Sequence, residues 1–118
     1  GYGGTQRLVQ LVGKGRALEL LMSGNMIDAS TALQYGLVNY VVPIDDLLTK
    51  TNTILQTIIT KAPLAIAHCI KAANAVFDHS LNGYDVEIES FGECFNTADM
   101  KEGAAAFLEK RKANFMGK

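Results

Sequence analysis

Tryptophan is absent, and proline and cysteine occur only twice each in 118 residues. Apolar residues make up 48% of the chain, the composition of an ordinary globular domain and neither a disordered nor a fibrous one. Cys69 and Cys94 have neither metal-ligand spacing nor the density of a secreted disulfide scaffold. They are expected to be free, buried thiols in a reducing compartment. Charge of one sign is also missing, since 11 basic and 12 acidic residues nearly cancel. No basic patch indicates nucleic acid as a partner, and there is no acidic tail. The longest apolar runs, such as Leu37–Pro43, are far too short to cross a bilayer, so no membrane partner is expected. No signal or transit peptide is visible. The first residue is Gly1 rather than methionine, so the natural N-terminus is expected to be missing.

Helical periodicity dominates what is present. Gly1–Gly4 forms a flexible opening, Thr5 offers an N-capping hydroxyl, and Leu8, Leu11 and Val12 recur at helical spacing up to Gly13. A second helix over 14–23 ends at Gly24, and a third, starting at Asp28, ends at Gly36. The segment Leu37–Val42 is rich in β-branched and aromatic residues and stops at Pro43, which predicts one short strand. A lone strand must pair with something, and no second one is evident, so its partner is expected upstream or in another chain.

Beyond Pro43 the pattern predicts helices near 44–61, 63–78, 82–96 and 98–111. Pro63 suits a first helical turn, and the alanines of 63–78 permit close approach of neighbouring helices. Thr97 should cap the last helix. Asp99 and Glu102 near its start, and Lys110, Arg111 and Lys112 near its end, suit the helix dipole. The fold expected is mostly α, about seven helices with one short strand, and its organisation changes near Pro43–Asp46.

The search for chemistry is largely negative. His68 and His79, about three helical turns apart, would stand roughly 16 Å from each other along one helix, too far to share a metal. Glu89 and Glu93 lie one turn apart with no histidine at matching spacing, and read better as a solvated face. No metal site is expected. Gly-Tyr-Gly-Gly could cradle an anion at a helix start, but it lacks the lysine and hydroxyl of a P-loop and reads better as a turn. Lys110–Lys112 suits a phosphate and a helix C-cap about equally. Chemistry alone describes a helical domain without an active site.

Several segments taken together resemble the crotonase family of enoyl-CoA hydratases and isomerases. They are Gly3-Gly4-Thr5-Gln6-Arg7-Leu8, then Val12-Gly13-Lys14, then Ala17-Leu18-Glu19-Leu20-Leu21 with Gly24. Ala29-Ser30-Thr31-Ala32-Leu33, Gly36-Leu37-Val38-Asn39 and Val41-Val42-Pro43 follow in order. Glu102-Gly103 and Ala106–Phe115 (Ala-Phe-Leu-Glu-Lys-Arg-Lys-Ala-Asn-Phe) complete the pattern.

The resemblance implies the C-terminal part of an α/β ββα-spiral fold. Residues 1–43 would end the spiral core, and 44–118 would form a helical oligomerisation domain that builds trimers, commonly stacked into hexamers. It implies an acyl-CoA substrate, no separate cofactor because coenzyme A is part of the substrate, and a cytoplasmic or, in a eukaryote, mitochondrial-matrix enzyme. In the family, two backbone N–H groups hold the thioester oxygen as enolate charge develops, and in the hydratases two glutamates handle the water and its proton. All four groups precede the glycine-rich turn and have no counterpart here, so this polypeptide alone is expected to be inactive.

Four positions do carry over. Gly1 matches a glycine whose backbone N–H helps position the catalytic water. Phe91 and Phe107 match aromatic positions lining the substrate region. Lys110 matches a basic residue near the CoA phosphates or adenine that reaches a neighbouring subunit. Packing is the rival reading of both aromatics: Phe91 shares a stripe with Ile88 and Phe95, and Phe107 a face with Met100 and Ala104. An enoyl-CoA hydratase is the leading function. Other family chemistry (isomerisation, dehalogenation or ring formation) and a non-catalytic helical oligomerisation module are the alternatives.

Overall fold

The computed structural model describes residues 2–118 and divides into two compact units, Gly1–Lys50 and Thr51–Lys118. In the first unit, α1 (Gly4–Val12) and α2 (Lys14–Ser23) pack on each other, and α3 (Ala29–Gln34) follows. A short 3-10 turn, Ile44–Asp46, leads into α4 (Leu47–Ile58), which runs across the boundary between the units. The second unit holds α5 (Pro63–Ala75), α6 (Gly83–Phe95) and α7 (Ala98–Leu108).

Glycine makes the elbow between α1 and α2. Gly13 has φ 82 and ψ 158, a backbone region closed to residues with a Cβ, and its N–H donates to the Val9 carbonyl. Gly36, at φ 75, lets α3 close with the Gly36 N–H on Leu33 O and the Leu37 N–H on Ala32 O. Asp28 caps the start of α3 by accepting the Thr31 N–H at 2.7 Å, and further hydrogen bonds from Thr31 and Ser30 hold its carboxyl below the usual aspartate range. Thr5 does not cap α1 as expected: Gly3 stands at the N-cap with no side-chain hydrogen bond, and Thr5 lies inside the helix.

The strand expected at Leu37–Val42 is not formed, and no strand occurs among the described residues. Its composition is that of a strand, but a ladder needs a second extended segment, and none pairs with it among the described residues. The Tyr40 ring is instead covered by the Lys50 ammonium, 4.0 Å from its centroid.

Three helices end earlier than their apolar periodicity suggests. α4 stops at Ile58, after which the Thr60 and Lys61 N–H groups tighten onto the Thr57 and Ile58 carbonyls, and Ala62, before Pro63, leaves the helical region at φ −59 and ψ 119. α5 stops at Ala75 rather than 78, where the Asp78 carboxylate accepts both the N–H and the hydroxyl of Ser80 and turns the chain. α7 stops at Leu108 because Lys110 turns left-handed, with φ 54.

The buried apolar residues are few and small: Val12, Ala17 and Ala32 in the first unit, Ala75 and Ala106 in the second. No large side chain is fully buried among the described residues. The alanine-rich α5 packs against α6, and α6 in turn meets α7. Both cysteines are free, but neither is buried as expected: Cys69 is exposed and Cys94 half-buried.

Candidate functional site

The last ten residues fold back along α7 and are held by its carboxylates. Asp99, only 3% exposed, accepts the Met116 N–H on Oδ1 at 2.7 Å and the Gly117 N–H on Oδ2 at 2.8 Å. Its own N–H donates to Lys118 O. One turn on, Glu102 receives the Arg111 guanidinium on both oxygens, at 2.6 and 2.9 Å, and the Asn114 N–H at 2.8 Å. These donors hold the Glu102 carboxyl down at about 2, Arg111 first among them, and the same pairing raises Arg111 above its ordinary value. Phe115 lies over Gly103, whose missing Cβ would stand 3.3 Å from the ring.

This strap closes one side of an apolar cleft of ≈ 350 Å³, whose walls include Leu64, Phe91, Phe95, Met100, Ala104 and Phe115. Phe91 and Phe95 meet edge to face, with centroids 4.9 Å apart. Phe91 is 65% exposed in this chain and lines the cleft as well as packing on Phe95. Phe107 is 83% exposed and is not among the residues lining that cleft, although Met100 and Ala104, from its expected face, are. Its carbonyl accepts the Lys110 N–H, so Phe107 and Lys110 come together at the end of α7 while Phe91 stands apart on α6. Gly1 lies outside the described residues.

A second cleft, also ≈ 350 Å³, lies along α5 and α6 and is lined in part by His68, Cys69, Ser90 and Cys94. Ser90 Oγ is buried without a hydrogen-bond partner. His68 Nδ1 stands 3.2 Å from Glu93 Oε2, at ion-pair distance but without hydrogen-bond alignment, and Lys71 Nζ lies 3.6 Å from Glu89 and 4.0 Å from Glu93. Glu89 and Glu93 thus lie on an exposed face, with side chains 64% and 48% exposed, as expected, and within ion-pair distance of α5 there. Among the described residues, no cluster of three metal-ligating side chains is assembled. No single helix is long and apolar enough to cross a membrane.

In the sequence, Asp99 and Glu102 suit the helix dipole, and Arg111 suits the dipole, a C-cap or a phosphate. Their work in holding the strap has no periodic signal, because 112–118 is irregular and its bonds are made by backbone N–H groups.

This helical arrangement and the whole sequence match one class of protein. The sequence profile described as enoyl-CoA hydratase/isomerase covers residues 1–118, and the chain belongs to that family. It is 45% identical to a crotonyl-CoA hydratase of Syntrophomonas wolfei, covering 100% of this chain and 46% of that protein. It is 40% identical to the mitochondrial enoyl-CoA hydratase of Pongo abelii, covering 98% of this chain and 40% of the relative. The crystal structure of an enoyl-CoA hydratase from Bacillus anthracis superposes with a TM-score of 0.92 at 37% identity, over 100% of this chain and 46% of that one. The chain thus spans less than half the length of these relatives.

Proposed function

We propose that this chain is the C-terminal part of an enoyl-CoA hydratase, which adds water across the 2,3 double bond of a 2-enoyl-CoA thioester. The observation that carries the reading is the match to a crotonyl-CoA hydratase, 45% identical over 100% of the chain. The apolar cleft beside Phe91 and the Lys110 ammonium, which forms no ion pair among the described residues, are compatible with it: one suits an acyl chain, the other a phosphate.

In this reading Phe91 and Phe107 border the acyl group, Lys110 meets the CoA phosphates or adenine, and the Gly1 N–H helps position the attacking water. The acid–base glutamates and the oxyanion-hole amides come from segments without a counterpart among these residues. Coenzyme A arrives as part of the substrate, and no further cofactor takes part. Residues 1–43 complete the spiral core, and 44–118 build a trimer or stacked hexamer. The broad apolar surface of the helices, including Ile70, Ile88 and Leu108, suits burial against other protein. The enzyme acts in the cytoplasm, or in the mitochondrial matrix of a eukaryote.

Loss of enoyl-thioester absorbance from crotonyl-CoA tests the proposal. The full-length protein carrying this chain should turn over, and residues 1–118 alone should not exceed background. An inactive full-length protein would defeat the hydratase reading. Turnover by the isolated chain would defeat the assignment of catalysis to other segments.

A further inference from the structure

Lys110 occupies the left-handed position that closes α7, at φ 54. Its N–H donates to Phe107 O at 3.3 Å, and the next N–H, of Arg111, reaches Ala106 O at 3.0 Å. Helices that end with this pair of bonds usually place glycine at the left-handed position, since a side chain there crowds the backbone. A lysine at that place must be held. The next residue, Arg111, is itself fixed: its Nη1 and Nη2 fork onto Glu102 at 2.6 and 2.9 Å while Nε donates to Glu109 at 2.6 Å. Glu102 also fixes Asn114, three residues further along.

The fork has a second consequence. Glu102 and Glu109 are the carboxylates of this turn, and both are engaged by Arg111. Neither pairs with Lys110, and no ion pair to its ammonium occurs among the described residues. Arginine suits the task because its planar fork matches a carboxylate in two places, whereas a lysine offers a single mobile charge.

From this geometry, and resting on the reading of Lys110 as a CoA contact, we infer that Glu102 is a positioning residue for the nucleotide end of the substrate. It locks Arg111, and through it keeps Lys110 left-handed with its ammonium free for a phosphate. Glu102 itself touches no substrate.

The test uses the full-length enzyme with two substrates, crotonyl-CoA and crotonyl-pantetheine, which lacks the nucleotide phosphates. Glu102→Gln should raise KM for crotonyl-CoA about threefold or more, as expected for a weakened charge-assisted contact, with kcat retained and crotonyl-pantetheine kinetics unchanged. Arg111→Lys, which keeps the charge and gives up the fork, should reproduce the pattern if Glu102→Gln folds poorly. The double variant Glu102→Arg/Arg111→Glu should recover part of the lost affinity. Equal losses on both substrates would reveal a general structural role and overturn the inference, as would an unchanged KM for crotonyl-CoA. Lys110→Ala separates the two layers of the argument. If it leaves KM for crotonyl-CoA unchanged, the reading of Lys110 fails and the inference with it. If it raises KM while Glu102→Gln does not, only the inference fails.

Discussion

Asp99→Asn removes one of the two oxygens that hold the C-terminal strap and puts an NH₂ group in its place. In the native chain each oxygen accepts one backbone N–H, from Met116 at 2.7 Å and Gly117 at 2.8 Å. Asparagine can satisfy one of them, while its amide turns a donor toward the other. The side chain is almost fully buried, at 3% exposure, so water does not readily replace the lost acceptor. Loss of a hydrogen bond to a charged group costs about 1.5–3 kcal/mol. The missing negative charge in the first turn of α7 adds roughly 0.3–1 kcal/mol through the helix dipole. Together these loosen the strap by about 2–4 kcal/mol, and each 1.4 kcal/mol is tenfold in an equilibrium. The Met116 and Gly117 amides should therefore exchange hydrogen roughly a hundredfold faster in the variant. The Ala32 amide, bonded to Asp28 O in the other unit, should keep its rate and serves as the internal control. Exchange at Met116 and Gly117 within about threefold of the native rate would show that Asp99 does not hold the strap.

Two other measurements probe separate parts of the chain. Glu102 should titrate at about 2, below its ordinary value of 4.5, when its carboxyl carbon is followed by NMR. Because its folded value is depressed, its contribution to strap docking is complete above pH 4.5 and declines as pH falls toward 2, disappearing below that. An ordinary midpoint would contradict the fork to Arg111. Thermal or urea melts should separate two glycines of opposite effect. Gly13→Ala forces a Cβ into a glycine-only conformation and should destabilise by about 1–3 kcal/mol. Gly92→Ala lies within α6 with open space around the added methyl and should stabilise by about 0.5–1 kcal/mol. The same sign for both would refute the backbone argument.

The helices were legible because their signals are local. Asp28 and Thr97 cap where the sequence places them, each accepting an N–H three residues on. Gly13, Gly24 and Gly36 adopt positive φ at the ends of three successive helices, and Pro63 opens α5. Family membership was legible for a different reason: ordered segments such as Gly3–Leu8 and Ala106–Phe115 form a pattern that spacing alone does not explain. Helix ends were less well placed, because periodicity continues past a residue whose backbone has already turned, as at Lys110.

By itself, then, the sequence determined the helical class, most of the caps and the kinship with enoyl-CoA hydratases, since each depends on residues close together in the chain or on their order. Tertiary structure decided the rest. Whether Leu37–Val42 becomes a strand depends on a partner segment, which composition cannot supply. The separation of Phe91 from Phe107 depends on how the helices are placed in space. That Asp99 and Glu102 grip the returning strap, rather than merely sit near a helix dipole, depends on backbone N–H groups up to 18 residues away. Those donors are the same in every residue type, so no side-chain pattern announces which carboxylate they will find.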